Sequence, residues 1–220
     1  MKQPCRNAQI MVLGSVLFSA TALGCAHTMT VEIPPRVDLQ TYQTIGIVEF
    51  SSNSTEQLNQ TATQKFMSVI QDAQPGVRFL EIGPAGEALK AVKRERLDPD
   101  AVKALGKKYG VSTIFTGTYE VSDVKPKISI GDDLASVSAS ADVGISMVSK
   151  QWDANTGATL WTRSRQGQWP VAKVRKESGS FVSLSMGMPE NRYGKFIENL
   201  VYAVTDDFRP HYEKRSAPKS

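Results

Sequence analysis

Few side chains in this 220-residue chain are of a type and spacing that could run a reaction. Its two histidines, His27 and His211, lie in polar stretches near the two ends. Neither sits on a rigid element where it could act as a general base or hold zinc. "GPAGEALK" (83–90) has the look of a phosphate loop, but that loop needs four residues between its glycines and then Gly-Lys-Ser/Thr. Pro84 would also delete one of the cradling N–H groups, so a strand-to-helix turn is the better reading. "DPD" (98–100) and "GDD" (131–133) crowd carboxylates, yet the further oxygen ligands of a calcium loop are absent. A helix cap explains the first and a hairpin turn the second. Trp152, Trp161 and Trp169 fall on adjoining strands and read as packing rather than as a glycan or peptide platform. The expectation is therefore a protein without catalytic residues, bound cofactor, metal or small-molecule substrate.

That leaves the two cysteines, Cys5 and Cys25. Lys2 and Arg6 precede "IMVLGSVLFSATAL" (10–23), an apolar run of fourteen residues with small ones toward its end. A spanning helix needs about 20 apolar residues to cross roughly 30 Å of hydrocarbon. Charge, then a short apolar run, then small residues is the secretory leader pattern. Gly24-Cys25 resembles a bacterial lipobox, with Ala22-Leu23 in the reverse of the usual order; a plain signal cut nearby, or an uncut anchor, is the alternative. Cys25 would then be the only mature cysteine, so no internal disulfide can form. A lone thiol invites bridging in an oxidising compartment, and a diacylglyceryl group removes that liability. Ala26, rather than Asp, follows it, which by the rule for enteric bacteria directs a lipoprotein to the outer membrane. Without Lys2 and Arg6 the formal charge falls from +4 to +2, too balanced to argue for nucleic acid. The basic run "KAVKRER" (90–96) reads as the wet side of a helix.

The elements follow from periodicity. Residues 26–43 carry Pro34-Pro35 and no period, and read as a tether. "TIGIVEF" (44–50) is a buried strand. Ser54 with Gln57 fits a capping box opening a helix whose inner face is Leu58, Ala62, Phe66, Val69, Ile70 and Ala73, stopped by Pro75-Gly76. "VRFLEI" (77–82) is a second strand, followed by a short helix over Ala88, Leu89 and Val92. Asp98-Pro99 caps a helix with Val102, Leu105 and Tyr109 inside and Gly110 as its left-handed stop. "VSTIFTGTYEV" (111–121) is a β-branched strand. "LASVSASADVGISMV" (134–148) alternates, with Ala135, Val137, Ala139, Ala141, Val143, Ile145 and Met147 on a face buried in protein or in lipid. Asn155-Thr156-Gly157 turns it into the next strand. A second hairpin is expected over 171–188, around "ESGS" (177–180). Pro189 opens a last helix through Tyr193, Ile197, Val201 and Phe208. The order β-α-β-α-α-β-β-β-α defines an α/β fold, a single mixed α/β sandwich.

Four places resemble one group of proteins: "IGIVEF" (45–50), "LDPDAVKALGKKYGVSTIFTGTYEV" (97–121), "WDANTGATLW" (152–161) and the lipobox. Together the chain resembles the CsgG-like bacterial lipoproteins, the group of the curli secretion pore CsgG and the penicillin-binding-protein activator LpoB. The resemblance implies a signal peptide (1–24), a tether lipidated at Cys25 (25–43), one CsgG/LpoB-like domain (44–210) and a loose tail (211–220). It implies no active site, a lipid anchor in the outer membrane facing the periplasm, and an envelope protein partner or self-oligomer. Two functions follow: an LpoB-like accessory factor, or a CsgG-like pore whose barrel is built from hairpins 122–150 and 163–188. Lys173, Arg175, Lys176 and Glu177 in the second hairpin argue for the first, since a basic residue at midplane costs about 2–4 kcal/mol. So does Pro126, which cannot donate to a ladder.

Overall fold

A computed structural model describes residues 28–123, 125–130, 137–175 and 190–216. Its elements run β1 (Thr28–Ile33), β2 (Ile45–Glu49), β3 (Ser51–Ser52), α1 (Glu56–Ala73), β4 (Phe79–Pro84), α2 (Ala85–Ala91), α3 (Pro99–Tyr109) and β5 (Thr113–Val121). After these come β6 (Lys125–Ile130), β7 (Val137–Asp153), β8 (Thr159–Arg175), α4 (Glu190–Val204), a 3-10 turn (Thr205–Phe208) and β9 (His211–Ser216). The main sheet has the order β4-β2-β5-β7. β2 is parallel to both β4 and β5, as the helical crossovers between them require, while β7 is antiparallel to β5 and β8. β8 accompanies nearly the whole of one edge of β7, so β5 and then β6 share the other edge in succession. Helices lie on both faces of this sheet, and the expected mixed α/β sandwich is what forms.

Two apolar clusters hold it. On one face Leu58, Phe66 and Ile70 of α1 and Leu200, Val201 and Val204 of α4 close over Ile45, Ile47, Phe115 and Met147. On the other Val102 and Leu105 of α3 meet Val48, Ile114 and Ala154. The α3 boundaries are those the sequence predicts: Asp98 Oδ1 accepts from the Ala101 N–H at 2.9 Å, and Gly110 ends the helix at φ +67°. Phe50 is swung onto the first cluster opposite Gly117, where even a methyl group would lie 2.5 Å from its ring.

Several expectations are corrected. α1 starts one residue late for the Ser54–Gln57 capping box; Thr55 is its N-cap and makes no side-chain cap bond. The Ser54 N–H instead donates to Ser52 Oγ, at 3.0 Å the nearer acceptor. The basic run 90–96 is only briefly helical, because the Arg94 N–H turns back to the Leu89 carbonyl and Lys93 takes φ +54°. The segments read as tether and loose tail are ordered in part. β1 and β9 pair in a two-stranded sheet; Thr28–Val31 and Glu213–Ser216 fall in one compact unit and Glu32–Tyr212 in another. Within that body Leu39 is fully buried, and Gln74 holds the lead-in and the C-terminal turn together. Its Oε1 accepts from the Leu39 N–H at 2.7 Å, and its Nε2 donates to the Val37 and Phe208 carbonyls at 2.7 and 2.9 Å. An extra strand, β6, also forms, and it contains Pro126. Among the described residues it has β7 alone for a neighbour, and an edge strand tolerates a residue without an N–H. Residues 171–175 extend β8 rather than opening a new hairpin. "GDD", Ala135 and "ESGS" lie outside the described residues.

Candidate functional site

The two faces of the β5–β8 region differ in kind. On the first face Val143, Ile145 and Met147 are 0, 1 and 0% exposed, and α4 packs against both β7 and β8. Trp169 stacks on Phe196 of α4 with centroids 5.0 Å apart, its ring lying over Gly167. Trp161 meets Phe208 edge-on at 4.6 Å. Beside it sits a buried carboxylate: Asp207 Oδ2 accepts from Trp161 Nε1 at 3.0 Å and from an Arg163 guanidinium nitrogen at 2.7 Å, with Arg36 3.6 Å from the other oxygen. This cluster fastens the C-terminal turn to β8.

The opposite face loses its helical cover beyond Thr116. Register places Glu120, Ser146 and Gln166 in one row, then Gly144 beside Gln168, and Gln166 and Gln168 are exposed. An open groove of 770 Å³ lies here, with Asn53, Ser122 and Lys125 along its rim. Ser122 shapes its floor: its N–H donates to the Gly144 carbonyl and its Oγ accepts from the Gly144 N–H, both at 2.8 Å. Farther out, register sets Lys127 and Lys173 in the row of Ser140, and Arg175 and Ser129 in the row of Ser138. Lys125 falls opposite Asp142. The rows between hold Pro126, Ala141 and Ala172, then Ile128, Ala139 and Val174. The polar rows run on from the groove and become basic toward the end of a strand 17 residues long, roughly 55 Å at the strand rise.

A bulge accompanies this change along β8: Val171 is the extra residue between Pro170 and Ala172. It shifts the register of the strand by one residue.

Of the residues singled out by sequence, Cys25 and His27 lie outside the described residues. His211 is the first residue of β9 and is partly exposed. All three tryptophans pack: Trp152 donates its indole N–H to Thr116 Oγ1 at 2.9 Å. The acids of "DPD" are structural; the Ala101 N–H chiefly, then Arg96, holds Asp98 below its ordinary pKa, and Lys103 does the same for Asp100. Glu49 is the carboxylate that sequence reading passed over. Burial, and then Glu56, Glu81 and Glu87, push it up. At the end of an apolar strand it gives no periodic signal. Among the described residues no group of His, Cys, Asp and Glu is arranged to hold a metal, and no helix is long and apolar enough to cross a membrane.

The geometry thus defines a mixed α/β sandwich carrying one bare polar sheet face. No family model matches the sequence, and no curated protein does. Among solved structures the chain is similar to the PelC dodecamer from Paraburkholderia phytofirmans, at 12% identity and a TM-score of 0.40, over 83% of this chain and 98% of that one. It is also similar to a lipoprotein from Neisseria meningitidis (13%, TM-score 0.39, 74% and 97%). A third is the LpoB C-terminal domain from Escherichia coli (10%, TM-score 0.31, 62% and 87%). Bacterial lipoproteins, LpoB domains included, are thus among its structural neighbours, at identities and scores that assign no function to this chain.

Proposed function

We propose that the protein is a non-enzymatic outer-membrane lipoprotein, anchored through Cys25 and facing the periplasm, that binds an envelope protein through its bare sheet face. The observation that carries this reading is the burial of the alternating strand. Val143, Ile145 and Met147, the residues a lipid-facing hairpin would present, are covered by the chain's own fold. What remains open beside the groove is polar, with Gln166 and Gln168 exposed, and the register rows beyond it carry Lys127, Lys173 and Arg175 in their sequence; that composition suits an acidic protein surface better than hydrocarbon. The leader and its lipobox support the anchor. The second reading, a pore, draws on the two apolar register rows beyond the groove, Pro126–Ala141–Ala172 and Ile128–Ala139–Val174, of which Ala141 is itself buried.

Size in solution separates the two. The lipidated chain and a form starting at Thr28 are compared by light scattering with and without detergent, and photo-crosslinkers are placed at Gln166 and Gln168 in cells. The accessory reading expects a low-order, detergent-independent species and a discrete heterologous crosslink. Rings of many copies that need detergent, with stepwise conductance in bilayers, would establish the pore instead.

A further inference from the structure

A second opening lies on the same sheet face, nearer the helices. Leu97, just before α3, roofs it; Thr116 and Thr118 of β5 floor it; Glu49 bounds it at the end of β2, and Lys150 and Trp152 line its β7 side. We propose that this cavity binds a zwitterion of amino-acid size, with its ammonium group at Glu49 and its carboxylate at Lys150. This goes beyond the accessory reading and does not depend on it.

Four observations meet here. The volume is 240 Å³, the space of about eight waters at roughly 30 Å³ each and below the usual range for drug-sized ligands. Charge is the second. Glu49 makes no ion pair or hydrogen bond, and its charged neighbours Glu56, Glu81 and Glu87 share its sign. Lys150 has no carboxylate partner either; its Nζ lies 5.4 Å from the Trp152 ring centroid. Two opposite charges therefore line one small space without neutralising each other, and a ligand carrying both complements of that pattern satisfies each. Third, the apolar wall is fixed in advance, because the Trp152 indole is held by its hydrogen bond to Thr116. With Leu97 and Val148 it accepts an aliphatic side chain. Position is the fourth. After β2 the chain passes to α1 on one face, and after the adjacent parallel strand β4 it passes to α2 on the other. Such a divergence leaves a crevice at the carboxyl ends of the strands, where open α/β sheets take their ligands.

The test is a titration of the full chain followed by the Trp152 indole N–H resonance. Leucine is the probe, with leucine methyl ester (cation only), N-acetyl-leucine (anion only) and glycyl-leucine beside it. Leucine should give a saturable shift, and blocking either charge should weaken binding about tenfold, the worth of one desolvated charge pair. Glu49→Gln should weaken leucine and its ester but leave the N-acetyl form unchanged; Lys150→Met should weaken leucine and the N-acetyl form but leave the ester unchanged. The analogue series on the unmutated protein keeps the comparison independent of how the variants fold. No saturable shift up to the solubility of leucine, binding of either blocked form as tight as that of leucine, or tighter binding of glycyl-leucine would each overturn the proposal.

Discussion

Replacing Gly157 by Ala tests the best-defined turn of the fold. Gly157 has φ +76°, and a Cβ there would lie 2.8 Å from both the Cβ and the carbonyl oxygen of Pro99. An L-residue in the left-handed region costs roughly 1–2 kcal/mol. Forcing a methyl group against the first residue of a capped helix adds about 1–3 kcal/mol, since backbone rather than a side-chain end must give way. The sum, about 2–5 kcal/mol, is a large share of a typical stability of 5–15 kcal/mol and corresponds to a Tm lower by roughly 5–15 °C. The neighbouring residues provide the controls. Asp153 Oδ1 accepts from the Asn155 and Thr156 N–H groups at 2.7 and 3.1 Å, so Asp153→Ala should cost about 1–2 kcal/mol. The Asn155 side chain makes no hydrogen bond, and Asn155→Ala should stay within about 0.5 kcal/mol. Urea and thermal melts decide the matter. A Gly157→Ala protein as stable as its parent, or an Asn155→Ala protein weaker than Asp153→Ala, would refute the docking of this turn on α3.

Cys25→Ser should abolish palmitate labelling and shift the protein out of the outer-membrane fraction; equal labelling of both forms would remove the basis for the anchor. Asp207→Asn should destabilise by about 2–4 kcal/mol, because it leaves the half-buried Arg163 guanidinium short of its 2.7 Å partner and weakens the Trp161 bond, and melts against Arg163→Gln would show the coupling. Glu49 titrates above its ordinary value, so the folded state holds that proton more tightly than the unfolded chain does. Its ionisation therefore opposes folding, and stability falls as pH rises through that window. Glu49→Gln should be more stable than the parent at neutral pH, with the gap closing below the ordinary carboxylate range, and parallel melts at the two pH values check the sign.

Elements whose local signals agree were legible in the chain. Asp98-Pro99 with Gly110 brackets α3, and the 3.6-residue recurrence from Leu58 to Ile70 marks α1. The alternation through Ala141, Val143, Ile145 and Met147 reads correctly as one buried face, and the structure shows α4 against it. Long-range features were not legible. Gln74 looks like a polar helix end, yet its amide joins segments 37 and 134 residues away in sequence. β1 and β9 are polar strands that pair only because the two ends of the chain meet. The cavity at Glu49 and Lys150 joins residues from strands β2 and β7, and no periodicity records that meeting. The bare face itself was half visible: its serines and glutamines stand in the alternation, but the register of Lys173 and Arg175 depends on a bulge at Val171.

That bulge can be tested by deletion. On β8 the residues through Trp169 place every odd position toward α4, whereas beyond Val171 the register puts Ala172 and Val174 in the apolar rows. Val171 is thus the excess residue that absorbs a phase change, and removing it lets Pro170 and Ala172 keep their partners Asp142 and Ala141 in an unbroken ladder. The deletion should cost about 1 kcal/mol or less, and should straighten the strand rather than invert it. Deleting Gln168 has no such outlet. Either Trp169 leaves its 5.0 Å stack on Phe196, or the rows from Trp161 to Gly167 turn over and expose Trp161 while Arg163 loses Asp207. Both indoles are partly buried, so displacing one costs less than the roughly 3–5 kcal/mol of a fully buried Trp, about 2–3 kcal/mol. Melts of the two deletions, with tryptophan fluorescence reporting the Trp161 and Trp169 environments, should separate them by several kcal/mol. Equal damage from both would mean that Val171 is held in the ladder, and would refute the register beyond Pro170.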